Sequence, residues 1–146
     1  MNNEKSPRGS GQGRLVIELR AGDRLLVNGA SLQFKNRTSV LLSNHVRFLF
    51  GRQIMAAEDA TTPARRIYLA MQGAYVSDES ERAPLTQAAK ALAEAYIAAT
   101  TVEPVRQTLR RAIAEMEAGD YWSAMRQVRG LFPHDDAMLE PESHTP

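Results

Sequence analysis

The chain has 146 residues, the size of one ordinary domain, with 43% hydrophobic and 24% charged residues and a formal net charge of +1. No apolar run reaches the length of a spanning helix and the first residues lack an apolar signal stretch, so the expected setting is the cytoplasm, with no membrane contact. Cysteine is absent, which removes disulfides, thiol catalysis and thiolate metal sites.

Residues 1–13 are polar and rich in Gly and Ser, too poor in apolar area to offset the entropy of ordering, and are expected to form a disordered leader. Short apolar runs then alternate with turn residues across 14–55. Leu15–Leu19 ends at Gly22-Asp23, and Leu25–Val27 ends at Asn28-Gly29, the strongest short hairpin signal. Leu32 and Phe34 alternate up to Asn36-Arg37, Val40–Leu42 stops at Ser43-Asn44, and Val46–Phe50 stops at Gly51. This spacing predicts four or five short antiparallel strands.

Alanine changes at the same boundary: two precede Gln53 and 19 follow it, and alanine favours helices over strands. Thr62 and Pro63 predict a capped helix start, with Ile67, Met71, Ala74 and Tyr75 on its inner face. A second helix is expected from about Ser80 to Ala99, or from Pro84, with Leu85, Ala88, Leu92, Ala95, Tyr96 and Ala99 inward. Thr101 is the expected cap of a third, with Val105, Leu109, Ala112, Ile113 and Met116 inward and Gly119 closing it. Asp120 caps a fourth, which Gly130 stops. The predicted class is α+β: a small N-terminal antiparallel β meander followed by a four-helix C-terminal bundle. The corresponding units are a β unit at 14–55, a helical unit at 56–132 and a flexible tail at 133–146.

No catalytic pattern emerges. His45, His134 and His144 have no metal-ligand spacing, and His134-Asp135-Asp136 falls in the expected tail. Phosphate-loop, dinucleotide and hydrolase signatures are missing. The sequence therefore predicts a non-enzyme with no metal and no cofactor.

The net charge conceals an asymmetry. Residues 1–53 hold nine Lys and Arg against three acids, a balance of +6, whereas 54–146 hold nine against 14, a balance of −5. Cations on a small sheet either grip phosphates or merely solvate its outer face, and both readings stand on composition. The candidate RNA-binding set is Arg14, Arg20, Arg24, Lys35, Arg37, Arg47 and Arg52, with Arg65 and Arg66 extending it or pairing with Glu58 and Asp59. Phe34, Phe48 and Phe50 offer stacking faces, although the period-two spacing of the last two points to the core. Tyr121 and Trp122 either lock a helix hairpin or anchor a partner.

Several of these segments together resemble the FlbT family of flagellum-biogenesis regulators. They are Leu19-Arg20-Ala21-Gly22-Asp23-Arg24-Leu25-Leu26-Val27-Asn28-Gly29-Ala30, the stretch Phe48–Met55 continuing through Thr61–Leu69, and Gly119-Asp120-Tyr121-Trp122-Ser123-Ala124-Met125. The likeness spans roughly Leu15 to Phe132. It implies a cytoplasmic post-transcriptional regulator that associates with the 5′ untranslated region of flagellin mRNA and controls its translation and decay, as a repressor. The implied partners are the flagellin mRNA leader and, in an alternative adaptor role, flagellin, FlaF or the translation machinery. The resemblance carries no RNA-contact residues, so the expected site rests on charge, and neither it nor the composition fixes an oligomeric state.

Overall fold

A computed structural model describes residues 15–43 and 46–139. The expected leader 1–13, together with Arg14, His45 and residues 140–146, lies outside the described residues.

Five strands come first: β1 (Leu15–Leu19), β2 (Arg24–Val27), β3 (Ala30–Gln33), β4 (Thr38–Leu42) and β5 (Phe48–Phe50). All pairings are antiparallel, but only β2 and β3 are neighbours in both sequence and space. β1 pairs with β4, while β2 lies between β3 and β5. The β2–β3 turn is the one that Asn28-Gly29 predicts. Both residues have positive φ (50° and 82°), as a type I′ hairpin requires. The Gly29 N–H donates to the Val76 carbonyl at 2.5 Å, tying the hairpin tip to the first helix.

Period-two alternation makes the β2–β5 pair the middle layer. Leu25, Val27, Phe48 and Phe50 face Ile17 and Leu19 of β1, whereas Leu26 and Leu49, directly opposite one another, pack on the helices. The small β core and the larger helical core thus share one sheet as their wall. Each fully buried Leu or Ile in such a wall stabilises the fold by about 1.5–3 kcal/mol.

The helices are α1 (Pro63–Val76), α2 (Glu79–Ala99), α3 (Glu103–Glu117), α4 (Tyr121–Arg129) and α5 (Phe132–Met138). Thr62 Oγ1 accepts the Arg65 N–H at 3.2 Å, with Pro63 beginning α1. Gly119, at φ 92°, closes α3, and Asp120 caps α4 by accepting the Ser123 N–H at 3.1 Å. Three details differ from the sequence reading. Thr101 does not cap α3: Val102 holds the cap position, and Thr100 Oγ1 accepts its N–H at 3.1 Å. The buried line of α2 runs through Ala89 and Ala93, one residue out of phase with the expected stripe, leaving Ala88, Leu92, Ala95 and Ala99 exposed.

The third difference is α5. Residues from Pro133 onward were expected to be a flexible tail, and Gly130 was expected to stop the chain's helical path. Gly130 instead stays right-handed (φ −62°) and the chain turns directly into a fifth helix. Asp135, only 3% exposed, accepts the Ala64 N–H at 2.7 Å and a very short hydrogen bond from the Tyr96 hydroxyl. Asp136 pairs with Arg65 at 2.6 and 3.2 Å. The acids that look like tail polarity are the clamp that docks the segment. Among the described residues no helix is long and apolar enough to cross a membrane.

Candidate nucleic-acid interface

Strand register decides where the β-unit cations meet. Arg20 follows β1, Arg24 opens β2, and Lys35 and Arg37 lie between β3 and β4. These two connections are joined by hydrogen bonds from the Gly22 N–H to the Phe34 carbonyl (2.6 Å) and from the Phe34 N–H to the Asp23 carbonyl (2.9 Å). The four side chains therefore share one end of the β unit, opposite the Asn28-Gly29 tip, and all four residues are exposed. The nearby acids are engaged otherwise. Asp23 accepts the Arg20 backbone N–H at 2.8 Å, and Glu18 accepts the Ser39 hydroxyl at 3.2 Å. Among the described residues, no carboxylate forms an ion pair with any of the four.

Arg52 continues this cluster. Phe50 lies opposite Leu25, so β5 finishes at the same end at which Arg24 begins β2, and the Gly51–Gln53 turn carries Arg52 onward. Arg66 is exposed on α1 but sits elsewhere, in a groove of about 400 Å³ with Leu92, Ala95, Met138 and Leu139.

Two expected members serve the fold. Arg47 is half-buried, its guanidinium 5.0 Å from the Tyr121 ring centre and 5.6 Å from that of Tyr75. Arg65 pairs with Asp136, not with Glu58 or Asp59, and stacks 4.6 Å over Phe132. The hydrogen bond to Asp136 raises the guanidinium's proton affinity still further, and the same bond holds the Asp136 carboxyl below the usual carboxylate range.

The expected aromatic faces are likewise inside. Phe48 and Phe50 stack on each other at 6.2 Å within the β core, and Phe34 packs against it. Tyr121 and Trp122 are each 7% exposed and belong to the helical core, so neither projects as a free anchor. The Tyr121 hydroxyl lies 2.7 Å from that of Thr86.

A second basic feature escapes a reading by half-chain averages. Arg52, Arg126 and Arg129 converge on a cavity of about 390 Å³ whose wall includes Tyr68, Trp122 and Met125. Arg129 lies 5.0 Å over the Tyr68 ring and donates to its hydroxyl at 2.9 Å, and that hydroxyl donates to the Gln53 carbonyl at 2.9 Å. Gln53 is itself held by the Phe50 N–H at 3.0 Å. The signal was present: Trp122, Arg126 and Arg129 stand at i, i+4 and i+7, one line along a helix. The acidic total of the helical half concealed it.

Residues 15–139, nearly all of the described chain, match the family described as "Flagellar protein FlbT". The chain belongs to the FlbT family. A "Probable flagellum biosynthesis repressor protein FlbT 2" of Bradyrhizobium diazoefficiens is 36% identical, over 86% of this chain and 91% of the relative. Relatives described as "Probable flagellum biosynthesis repressor protein FlbT" are 28% identical in Allorhizobium ampelinum and 24% in Agrobacterium fabrum, each over 90% of this chain and 88% of its own length. No solved structure matches the chain. This FlbT-family membership places it among regulators of flagellum biogenesis.

Proposed function

We propose that the chain is a non-enzymatic, post-transcriptional repressor of flagellum biogenesis that binds the 5′ untranslated region of flagellin mRNA and promotes its decay. The observation that carries the direct-contact reading is the gathering of Arg20, Arg24, Lys35 and Arg37, exposed and without an ion-pairing carboxylate among the described residues, at one end of the β unit. A guanidinium forks onto phosphate oxygens, and four or five cations at one edge attract a flexible strand more strongly than the same charges scattered. With Arg52 the surface neutralises about four to six phosphates of a single strand, for a log–log salt slope near −3 to −4. The message is cut by a cellular ribonuclease in this scheme, and the protein controls access.

Binding of a flagellin-leader RNA to the purified chain, measured across a salt series, tests the reading. A slope of that size supports electrostatic contact; a flat response removes it. Cleavage of RNA by the pure protein with multiple turnovers would overturn the non-enzymatic role. Loss of the effect on the message through a protein-surface change, with RNA retention intact, would favour the adaptor route through flagellin, FlaF or the translation machinery.

A further inference from the structure

We propose that the cavity bounded by Arg52, Arg126 and Arg129 is a subsite for single-stranded RNA, taking a backbone phosphate on its arginines and the attached nucleoside against the Tyr68–Trp122–Met125 wall. This rests on the RNA-binding reading and extends its path from the β unit onto α4. The convergence of three guanidinium groups is the starting point. They come from two separate elements, the turn after β5 and the last two turns of α4. Cations near a helix C-terminus complement the macrodipole, which explains Arg126 and Arg129 on α4. It does not explain why Arg52 meets them. Like charges sharing one cavity repel, and no carboxylate among the described residues pairs with any of the three, so an anion is the missing partner.

The composition of the cavity narrows the anion. A free inorganic ion would use only the arginines. The apolar and aromatic wall beside them suits a ligand with an anionic group next to a flat, weakly polar one, as in a nucleotide. About 390 Å³ is in the range of small-ligand sites. Preorganisation is visible as well. Stacking on Tyr68 and the bond to its hydroxyl hold Arg129, while Arg52 and Arg126 are exposed and free to close on the ligand. Because Arg24 and Arg52 leave the same end of neighbouring strands, a strand gripped at the β end runs on toward this cavity.

Trp122 is the chain's sole tryptophan and lines the cavity, so its emission reports occupancy separately from overall affinity. The full chain is titrated at low salt with a single-stranded RNA of about 12 nucleotides. The expected result is a saturable change in emission. The double variant Arg52→Ala/Arg126→Ala, with its helix content verified by circular dichroism, loses that change, and its salt slope falls by about 1.4. Arg24→Ala/Arg37→Ala weakens binding but keeps the emission change at saturation. RNA binding without an emission change, and with an unaltered slope in the Arg52/Arg126 variant, overturns the subsite and leaves the RNA-binding reading in place. No binding by the unmodified chain overturns both. A full emission change with inorganic pyrophosphate alone, at RNA-like concentrations, makes this a small-anion site and overturns the assignment to RNA.

Discussion

Asp135 in α5 accepts the backbone N–H of Ala64 in the first turn of α1, 71 residues earlier, at 2.7 Å. A helix's first-turn N–H groups have no partner within the helix, and the positive end of its dipole favours a carboxylate. One side chain therefore satisfies α1, accepts from Tyr96 of α2 and anchors the end of the described chain.

Replacing Asp135 with Ala leaves a buried N–H and the Tyr96 hydroxyl without their acceptor. The expected cost is about 2–4 kcal/mol. Asp135→Asn keeps an acceptor oxygen and should recover part of it. Denaturant unfolding of the three proteins checks the order; equal midpoints for Ala and the unmodified chain would show that the contact adds no stability.

Stability should fall at both ends of the pH scale through different residues. Arg65 depresses the folded-state value of Asp136, chiefly by their hydrogen bond, so the pair's contribution is present above the ordinary carboxylate value, about 3.9, and is lost as pH falls through the lower folded one. Burial first, then the bond to Asp135, raises Tyr96 above the usual phenol value. That contribution is complete below about pH 10 and is lost as pH rises toward the folded value. Thermal melts across pH should show Asp136→Asn flattening only the acid arm and Tyr96→Phe only the alkaline arm. A variant that flattens neither arm would remove its residue from the linkage.

Core packing on α2 gives a sharper test of phase. Ala93 is fully buried, whereas Ala88 is exposed. Ala93→Leu forces three extra carbons into a packed helix interface, at a cost of about 1–3 kcal/mol, while Ala88→Leu should stay within about 0.5 kcal/mol. The opposite order of melting temperatures would restore the stripe that the sequence suggested.

That phase difference shows what kind of feature a sequence conceals. Asn28-Gly29, Thr62-Pro63 and Gly119-Asp120 were legible because a turn or cap depends on residues three or four apart. The α2 stripe was not, because alanines at 88, 89, 91, 93 and 95 make neighbouring phases nearly equally apolar. The last helix was hidden for another reason: its acids find their partners at Ala64 and Arg65, far away along the chain. The cationic end of the β unit falls between these cases. Its residues were visible by charge, but only the register unites Arg20, Arg24, Lys35 and Arg37 and sends Arg47 to the tyrosines.

Arg47 and Arg24 should consequently respond in opposite ways to substitution. The Arg47 guanidinium lies between two tyrosine rings, and its Nη1 is buried without a hydrogen-bond partner among the described residues. Cation–π contact contributes about 0.5–2 kcal/mol in such a setting, and the aliphatic stem adds packing. Arg47→Glu replaces that attraction with a carboxylate facing aromatic rings and should lower the melting temperature strongly. Arg47→Met keeps the stem, should cost no more than about 1–2 kcal/mol, and should leave RNA retention unchanged. Arg24→Glu/Arg37→Glu should show the reverse, a native melt with RNA affinity reduced at least about tenfold at low salt, since exposed charges add little to stability but much to phosphate binding. Melting curves and RNA retention measured in one buffer separate the two roles. If Arg47→Met lost RNA at an unchanged melting temperature, Arg47 would belong to the binding surface, and the strand's path would have to cross the Tyr75–Tyr121 face.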